Sequence, residues 1–272
     1  MIGFNALGQL GQLGNQMFQV ASLRGIASKN RYNYCFPITS DVFVDHLGNK
    51  LRVDIHNVFT LQNVNPLNIQ MIDAGRPTVV EGTFHFNEKL YNDCPDWVDL
   101  RGFFQTEKYF THVSDMVREM FTFRPDIIDP ARQMVEGLNK APVALHIRRG
   151  DFLRNSGNHN NLSLEWYANA LNKFDLRGRQ VAIFSDDPAW CKKQELFEND
   201  DTFLISEGNS HYTDLAMMSL CTGHIIANST FSWWGAWLAN SKEVIAPAKW
   251  FGPENAHLDT KDLYPEHWEV LE

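Results

Sequence analysis

From Pro142 onward, apolar runs rich in β-branched residues recur at regular intervals: VALHI, QVAIF, TFLIS, HIIAN and EVIAP. Between them lie stretches of helical spacing, SLEWYANALNKF, PAWCKKQELF, YTDLAMMSLC and STFSWWGAWLAN. Strands that alternate with helices specify βαβ units, hence a parallel sheet with helices on both faces. Ligands of such a sheet bind outside the carboxyl ends of its strands. This pattern therefore says where to look for chemistry: at the polar residues that end each apolar run.

The first half is less regular. MIGFNAL reads as a strand, and Asn15 to Lys29 places Met17, Val20, Leu23 and Ile26 on one helical side. YNYCF, TVVEGTFHF and DLRGFF read as strands, and EKYFTHVSDMVREMFTF as one amphipathic helix that stops at Arg124-Pro125. A second helix, DPARQMVEGLNK, leads to Pro142. We place a domain boundary near residue 140, giving α/β units over 1–140 and 141–272.

Composition narrows the class. A 272-residue chain that is 44% apolar and 21% charged is an ordinary globular protein, long enough for two packed units. Its net charge of −9 argues against a nucleic-acid or anionic-membrane binder. Cys35, Cys94, Cys191 and Cys221 are scattered without metal spacing and read as reduced, buried thiols. Neither a secretory signal nor a run long enough to span a bilayer is legible, so the expectation is a cytoplasmic protein without a membrane span. The oligomeric state is not written in the sequence.

Four strand ends carry candidate chemistry. In HIRRGDF, alternation puts His146 and Arg148 on one face and Ile147 and Arg149 on the other. Arg148 can meet a phosphate or diphosphate, with Asp151 orienting an arginine; two solvated surface arginines are the plainer alternative. An adhesive Arg149-Gly150-Asp151 loop is a weak third reading, because a tripeptide match carries little without its context. In HIIANSTFSWW, Ser229 and Thr230 stand at a helix start, where unpaired N–H groups and the dipole favour an anion. Plain capping by Asn228, Ser229 or Thr230 explains the same residues. In AIFSDDPAW, Asp186 or Asp187 can accept from a guanine or ribose, or simply cap a helix. In GQLGQLGNQMF, Gly8, Gly11 and Gly14 are spaced G-x-x-G-x-x-G, which is not a dinucleotide fingerprint; a tight loop bringing Asn15 to a ligand, or a structural turn, fits better. No Asp-x-Asp occurs, so a common divalent-ion device of sugar-nucleotide enzymes is missing.

GQLGNQMFQVA, GFFQTEKYF, HIRRGDF and NSTFSWWGAWL together resemble glycosyltransferase family 11, the α-1,2-fucosyltransferases, in the family's order and over most of the chain. The resemblance implies a GT-B-like α/β fold, two Rossmann-like units facing across a cleft, with the acceptor on the first and the donor on the second. It implies inverting transfer of fucose from GDP-β-L-fucose to the 2-hydroxyl of a galactose-containing glycan, with no cofactor and no metal. It also implies the anchorless, bacterial type of member. Carried over by motif, Arg148 stabilises the departing GDP, while His146, Asp151 and Arg149 bind the nucleotide or hold the arginines. Ser229 and Thr230, with Asn228, form the phosphate stretch; Asp186 takes the guanine or ribose; Gly14 and Asn15 line the donor side of the Gly loop. The Arg148 guanidinium and the N–H of Ser229 or Thr230 should then face one anion.

One departure from the family pattern is Gln12 in place of the second glycine of Gly-Gly-Leu-Gly-Asn-Gln, beside a repeated Gly-Gln-Leu. The base that takes the acceptor's proton is left among Glu107, Asp151 and His146, and Glu107 equally suits a helix start. Another GDP-fucose linkage, or a sugar-nucleotide or glycan-binding protein without turnover, are the remaining readings.

Overall fold

The computed structural model describes residues 1–45, 48–138, 141–199 and 201–272. The chain divides into two compact units: Met1–Arg124 with Leu258–Pro265, and Pro125–His257 with Glu266–Glu272.

Unit 1 contains β1 (Ile2–Gly3), α1 (Leu13–Asn30), β2 (Tyr34–Cys35), β3 (Phe43–Val44), β4 (Lys50–Leu51), α2 (Ile55–Val58), β5 (Thr78–Val80), α3 (Glu88–Asn92), β6 (Val98–Arg101) and α4 (Ser114–Met120). Its main sheet is parallel, in the order β2-β1-β6-β5. The helix α1 buries Met17, Val20, Leu23 and Ile26, as their spacing requires, but it also buries Gln16, Gln19 and Ser22. Buried amides must be paired, and these reach loop carbonyls: Gln16 Nε2 donates to Arg52 at 2.7 Å, and Gln19 Nε2 to Gly102 at 3.1 Å. The expected long helix over EKYFTHVSDMVREMFTF is instead two 3₁₀ turns, Glu107–Tyr109 and Thr111–Val113, followed by α4. The break falls where α1 lies against main chain: a side chain at Gly25 would collide with the Tyr109 carbonyl. The segment Leu258–Pro265 is fastened to this unit by Asp262, which accepts from Phe86 N at 3.1 Å and Lys108 Nζ at 2.6 Å.

Unit 2 contains α5 (Pro125–Glu136), β7 (Val143–Ile147), α6 (Gly150–Arg154), α7 (Leu164–Leu171), β8 (Val181–Ser185), α8 (Pro188–Cys191), β9 (Phe203–Ile205), α9 (His211–Leu220), β10 (Gly223–Ile225), α10 (Thr230–Leu238), β11 (Glu243–Pro247) and β12 (Glu269–Leu271). All six strands are parallel, in the order β12-β11-β10-β7-β8-β9. Every residue of β7 is buried, as the central strand of a sheet covered on both faces must be. On α10, Trp233, Trp234 and Trp237 are core residues, at most 4% exposed; each contributes about 5 kcal/mol of gross burial energy.

The boundary differs from expectation. It lies at Arg124–Pro125, because α5 packs against α9 and so belongs to the second sheet's helical layer. Pro125 opens α5 at a position where its missing N–H costs nothing. The expected boundary at Lys140, and the end of the helix expected to reach it, lie outside the described residues. Among the described residues no helix is long and apolar enough to cross a membrane.

Candidate functional site

The order of the unit 2 sheet locates its site. From β7 the chain proceeds outward through β8 and β9, then returns to the other side of β7 and proceeds through β10, β11 and β12. The switch in direction lies between β7 and β10, and sheets of this kind bind their ligands at the carboxyl ends of such a step. Leu145 pairs with Ile225 across this step. Arg148 follows β7 and Ser229 follows β10, so HIRRGDF and NSTFSWW meet at one sheet end.

His146 fastens that end. Its Nδ1 lies 2.9 Å from Ser232 Oγ in the first turn of α10, and its carbonyl accepts from the Tyr167 hydroxyl of α7 at 3.1 Å. Burial first, and then the Arg148 charge, push the imidazole down to about 3. The buried residue connects strand to helix, its ring meeting Ser232 and its carbonyl Tyr167.

Arg148 is clamped. Nη2 donates to Asp151 Oδ1 at 2.7 Å, Nη1 meets Asp186 Oδ2 at 3.1 Å, and the guanidinium lies 5.4 Å from the Phe152 ring centre. Both oxygens of Asp186 are engaged, because Oδ1 accepts the Arg149 N–H at 2.9 Å. Asp186 thus orients both the Arg148 guanidinium and the Arg149 main chain. Asp187 caps α8 through Trp190 N at 3.1 Å and accepts from Arg149 Nε at 3.2 Å. Arg149 itself stacks on the Trp190 ring at 3.8 Å, so its planar face is occupied within the unit. Gly150 has a steric role: a Cβ there would come within 2.5 Å of Asp186 Oδ2. The Arg-Gly-Asp tripeptide is thereby explained as two orienting contacts and the space between them, not as an exposed adhesive loop.

At the end of β10 the candidates separate. Ser229 is the N-cap of α10, its Oγ accepting from Phe231 N at 3.4 Å, and Thr230 opens the helix; both are half-buried. Asn228 is 3% exposed and its amide donates to the carbonyls of Asn160 at 2.9 Å and Trp250 at 2.8 Å. Both N–H groups of this amide hold neighbouring loops.

In unit 1 the Gly loop leads from β1 into α1. Gly8 and Gly11 have φ of +80° and +102°, which only glycine adopts without strain, and a side chain at Gly11 would strike the Asn15 amide. Gly14 lies within the first turn of α1. Asn15 donates to the Leu10 carbonyl at 3.4 Å and accepts from Gln105 Nε2 at 3.0 Å, so it ties the Gly loop to the loop after β6. Glu107 opens a 3₁₀ turn and its charge acts on Arg118.

Two residues of this unit escaped the sequence reading. Gln105 is buried with its Oε1 lacking a partner. Glu81 follows β5 and its Oε2 accepts the N–H groups of Phe103 at 2.9 Å and Phe104 at 2.8 Å. A carboxylate directly after an apolar strand, in TVVEG, is the signal that could have found it; the same residue type is common in solvated turns.

The family model described as Glycosyl transferase family 11 matches residues 2–272. An alpha-1,2-colitosyltransferase from Escherichia coli is 31% identical, over 96% of this chain and 97% of the relative. A galactoside alpha-(1,2)-fucosyltransferase 2 from Bos taurus is 24% identical, over 94% of this chain and 74% of the relative. Among solved structures, the NodZ alpha-1,6-fucosyltransferase soaked with GDP-fucose superposes with a TM-score of 0.55 over 87% of this chain and 92% of that one, at 10% identity. The architecture is accordingly α/β of the GT-B type.

Proposed function

The chain belongs to glycosyltransferase family 11, and on that premise we propose that it transfers L-fucose from GDP-β-L-fucose to the 2-hydroxyl of a terminal galactoside, with inversion and without a metal ion. The observation that carries this reading is Arg148, held by Asp151 and Asp186 at the switch point beside the N-terminus of α10. A guanidinium has five N–H groups, so the two carboxylates fix its plane and leave donors for a diphosphate. The first turn of α10 adds N–H groups and a positive dipole end. Together they stabilise charge developing on the leaving GDP, which is the work a divalent ion does in other sugar-nucleotide enzymes. Unit 1 takes the acceptor in this reading.

A second donor is favoured by a specific observation: the relative aligned over 96% of this chain is named a colitosyltransferase. Colitose is fucose without its 3-hydroxyl, so one hydrogen-bonding group would decide between the donors. Incubation with lactose, EDTA and either GDP-fucose or GDP-colitose tests both. We expect 2′-fucosyllactose in the presence of EDTA. Colitosyl product alone moves the donor assignment to colitose, dependence on an added divalent ion removes the metal-free clause, and tight GDP binding with no product on any galactoside points to a binding protein.

A further inference from the structure

Arg148 brings one positive charge, while Asp151 and Asp186 bring two negative ones. The clamp therefore fixes a direction without supplying net positive charge, and a departing diphosphate needs further N–H donors beside it. Within unit 2 one side chain near the clamp is fixed in place and unspent. His159 lies in the loop that links α6 to α7. Its ring stacks on Phe152 of α6, with ring centres 4.0 Å apart and planes 5° from parallel. The Arg148 guanidinium lies 5.4 Å from the centre of the same Phe152 ring. Guanidinium and imidazole are thus separated by no more than the sum of these two distances.

The loop sets the position of this ring from several sides. His159 N donates to the Asn155 carbonyl at 3.0 Å, and its main chain bridges to Phe251 in the loop after β11. Both sequence neighbours are fastened. The Asn158 carbonyl accepts from Gly252 N at 2.9 Å, and the Asn160 carbonyl accepts from the Asn228 amide at 2.9 Å. Asn228 immediately precedes Ser229. His159 is therefore tied through Phe152 to the segment that follows β7, and through Asn160 to the end of β10. Those two segments frame the switch point. The side chain is half-buried, and neither ring nitrogen has a hydrogen-bond partner among the described residues. An imidazole positioned by its stack and its loop, with its nitrogens unused, is preorganised for a ligand.

We propose that His159 is a second ligand of the nucleotide, donating a ring N–H to the diphosphate that Arg148 meets; this rests on the GDP-sugar transfer proposed above. Burial lowers the imidazole below its ordinary 6.5, with the Asp151 charge opposing the fall and the Arg148 charge adding to it. Both charges of the clamp therefore reach the ring. The ring is chiefly neutral at about pH 7, and a neutral imidazole has one N–H to give. That N–H supplements Arg148 and the first turn of α10 as negative charge gathers on the leaving group.

The test is His159→Phe, which keeps a ring against Phe152 and removes both nitrogens. Calorimetry with GDP and with guanosine separates the diphosphate from the nucleoside. GDP affinity should fall about tenfold, as for a lost hydrogen bond to a charged group, while guanosine affinity stays within about twofold. Equal GDP affinity in variant and wild type overturns the assignment. A parallel loss for guanosine overturns it too, since the ring would then serve the nucleoside or the fold. Should the variant not fold, the wild-type protein decides. GDP should shield His159 from carbethoxylation by diethyl pyrocarbonate, read by peptide mass spectrometry, and guanosine should not; an absence of shielding by GDP overturns the proposal equally. Wild-type protein that neither binds GDP nor transfers from either GDP-sugar sinks the functional reading and this inference with it. Wild type that binds GDP no more tightly than His159→Phe sinks only the role of His159.

Discussion

Gly150→Ala is the substitution that isolates the geometry around Arg148. The new Cβ would sit 2.5 Å from Asp186 Oδ2, whereas ordinary van der Waals contact begins at about 3.4 Å. Relief therefore needs a carboxylate shift of about 0.9 Å, which stretches the 3.1 Å contact with Arg148 Nη1 to about 4 Å and breaks it. Both partners are about three-quarters buried, with side-chain exposures of 22% and 25%, so solvent compensates little. A lost hydrogen bond to a charged group costs about 1.5–2 kcal/mol, equivalent to a 10- to 30-fold loss in kcat/KM if Arg148 must be held in plane. The backbone does not object, since Gly150 has no positive φ and opens α6, where alanine is favoured. Melting temperature should fall by only a few degrees while activity falls by the larger factor. A double-mutant cycle with Asp186→Ala makes the attribution: Gly150→Ala should cost less than about twofold once Asp186 is gone. Full additivity, or wild-type activity in Gly150→Ala, would refute the orienting role of Asp186.

Three further outcomes follow from individual contacts. Arg148→Lys should lose most turnover, because a point charge cannot meet Asp151, Asp186 and a diphosphate with one planar fork; near wild-type kcat in steady-state assays contradicts this. Asn228→Ala strips the donors from the Asn160 and Trp250 carbonyls and should lower unfolding stability by about 2 kcal/mol, seen in denaturant titration, with GDP affinity unchanged in the folded protein. For Glu81, the folded carboxyl sits above its ordinary value of 4.5, at about 7, so the native state prefers the protonated form. Wild-type stability should therefore decline relative to Glu81→Gln as pH rises from about 4.5 to about 7 and run parallel above that. The difference is on the order of 2 kcal/mol after discounting for partial exposure, and equal pH dependence of the two melting curves rules it out.

The second unit was legible because its inner strands β7, β8, β10 and β11 are mostly buried on both faces, and such runs advertise themselves. The first unit's strands are two to four residues long, too short for any period to show. Its helix α1 carries buried glutamines whose partners are carbonyls distant in sequence. The boundary was misplaced because α5 is amphipathic like a linker helix, and only its contact with α9 assigns it. Within the site, position at strand ends was readable and partnership was not. Nothing local distinguishes Asp186, which holds Arg148, from Asp187, which caps α8, or Asn228, which pins two loops, from Ser229, which caps α10. Those roles are set by strand order, which brings β7 beside β8 and β10.

The most direct test is calorimetric comparison of GDP and guanosine binding to wild-type protein and Arg148→Ala. If Arg148 grips the diphosphate, GDP affinity should fall at least about tenfold in the variant while guanosine affinity stays within about twofold. Unchanged GDP affinity, or a parallel loss for guanosine, would contradict the placement of the diphosphate at the β7–β10 switch point.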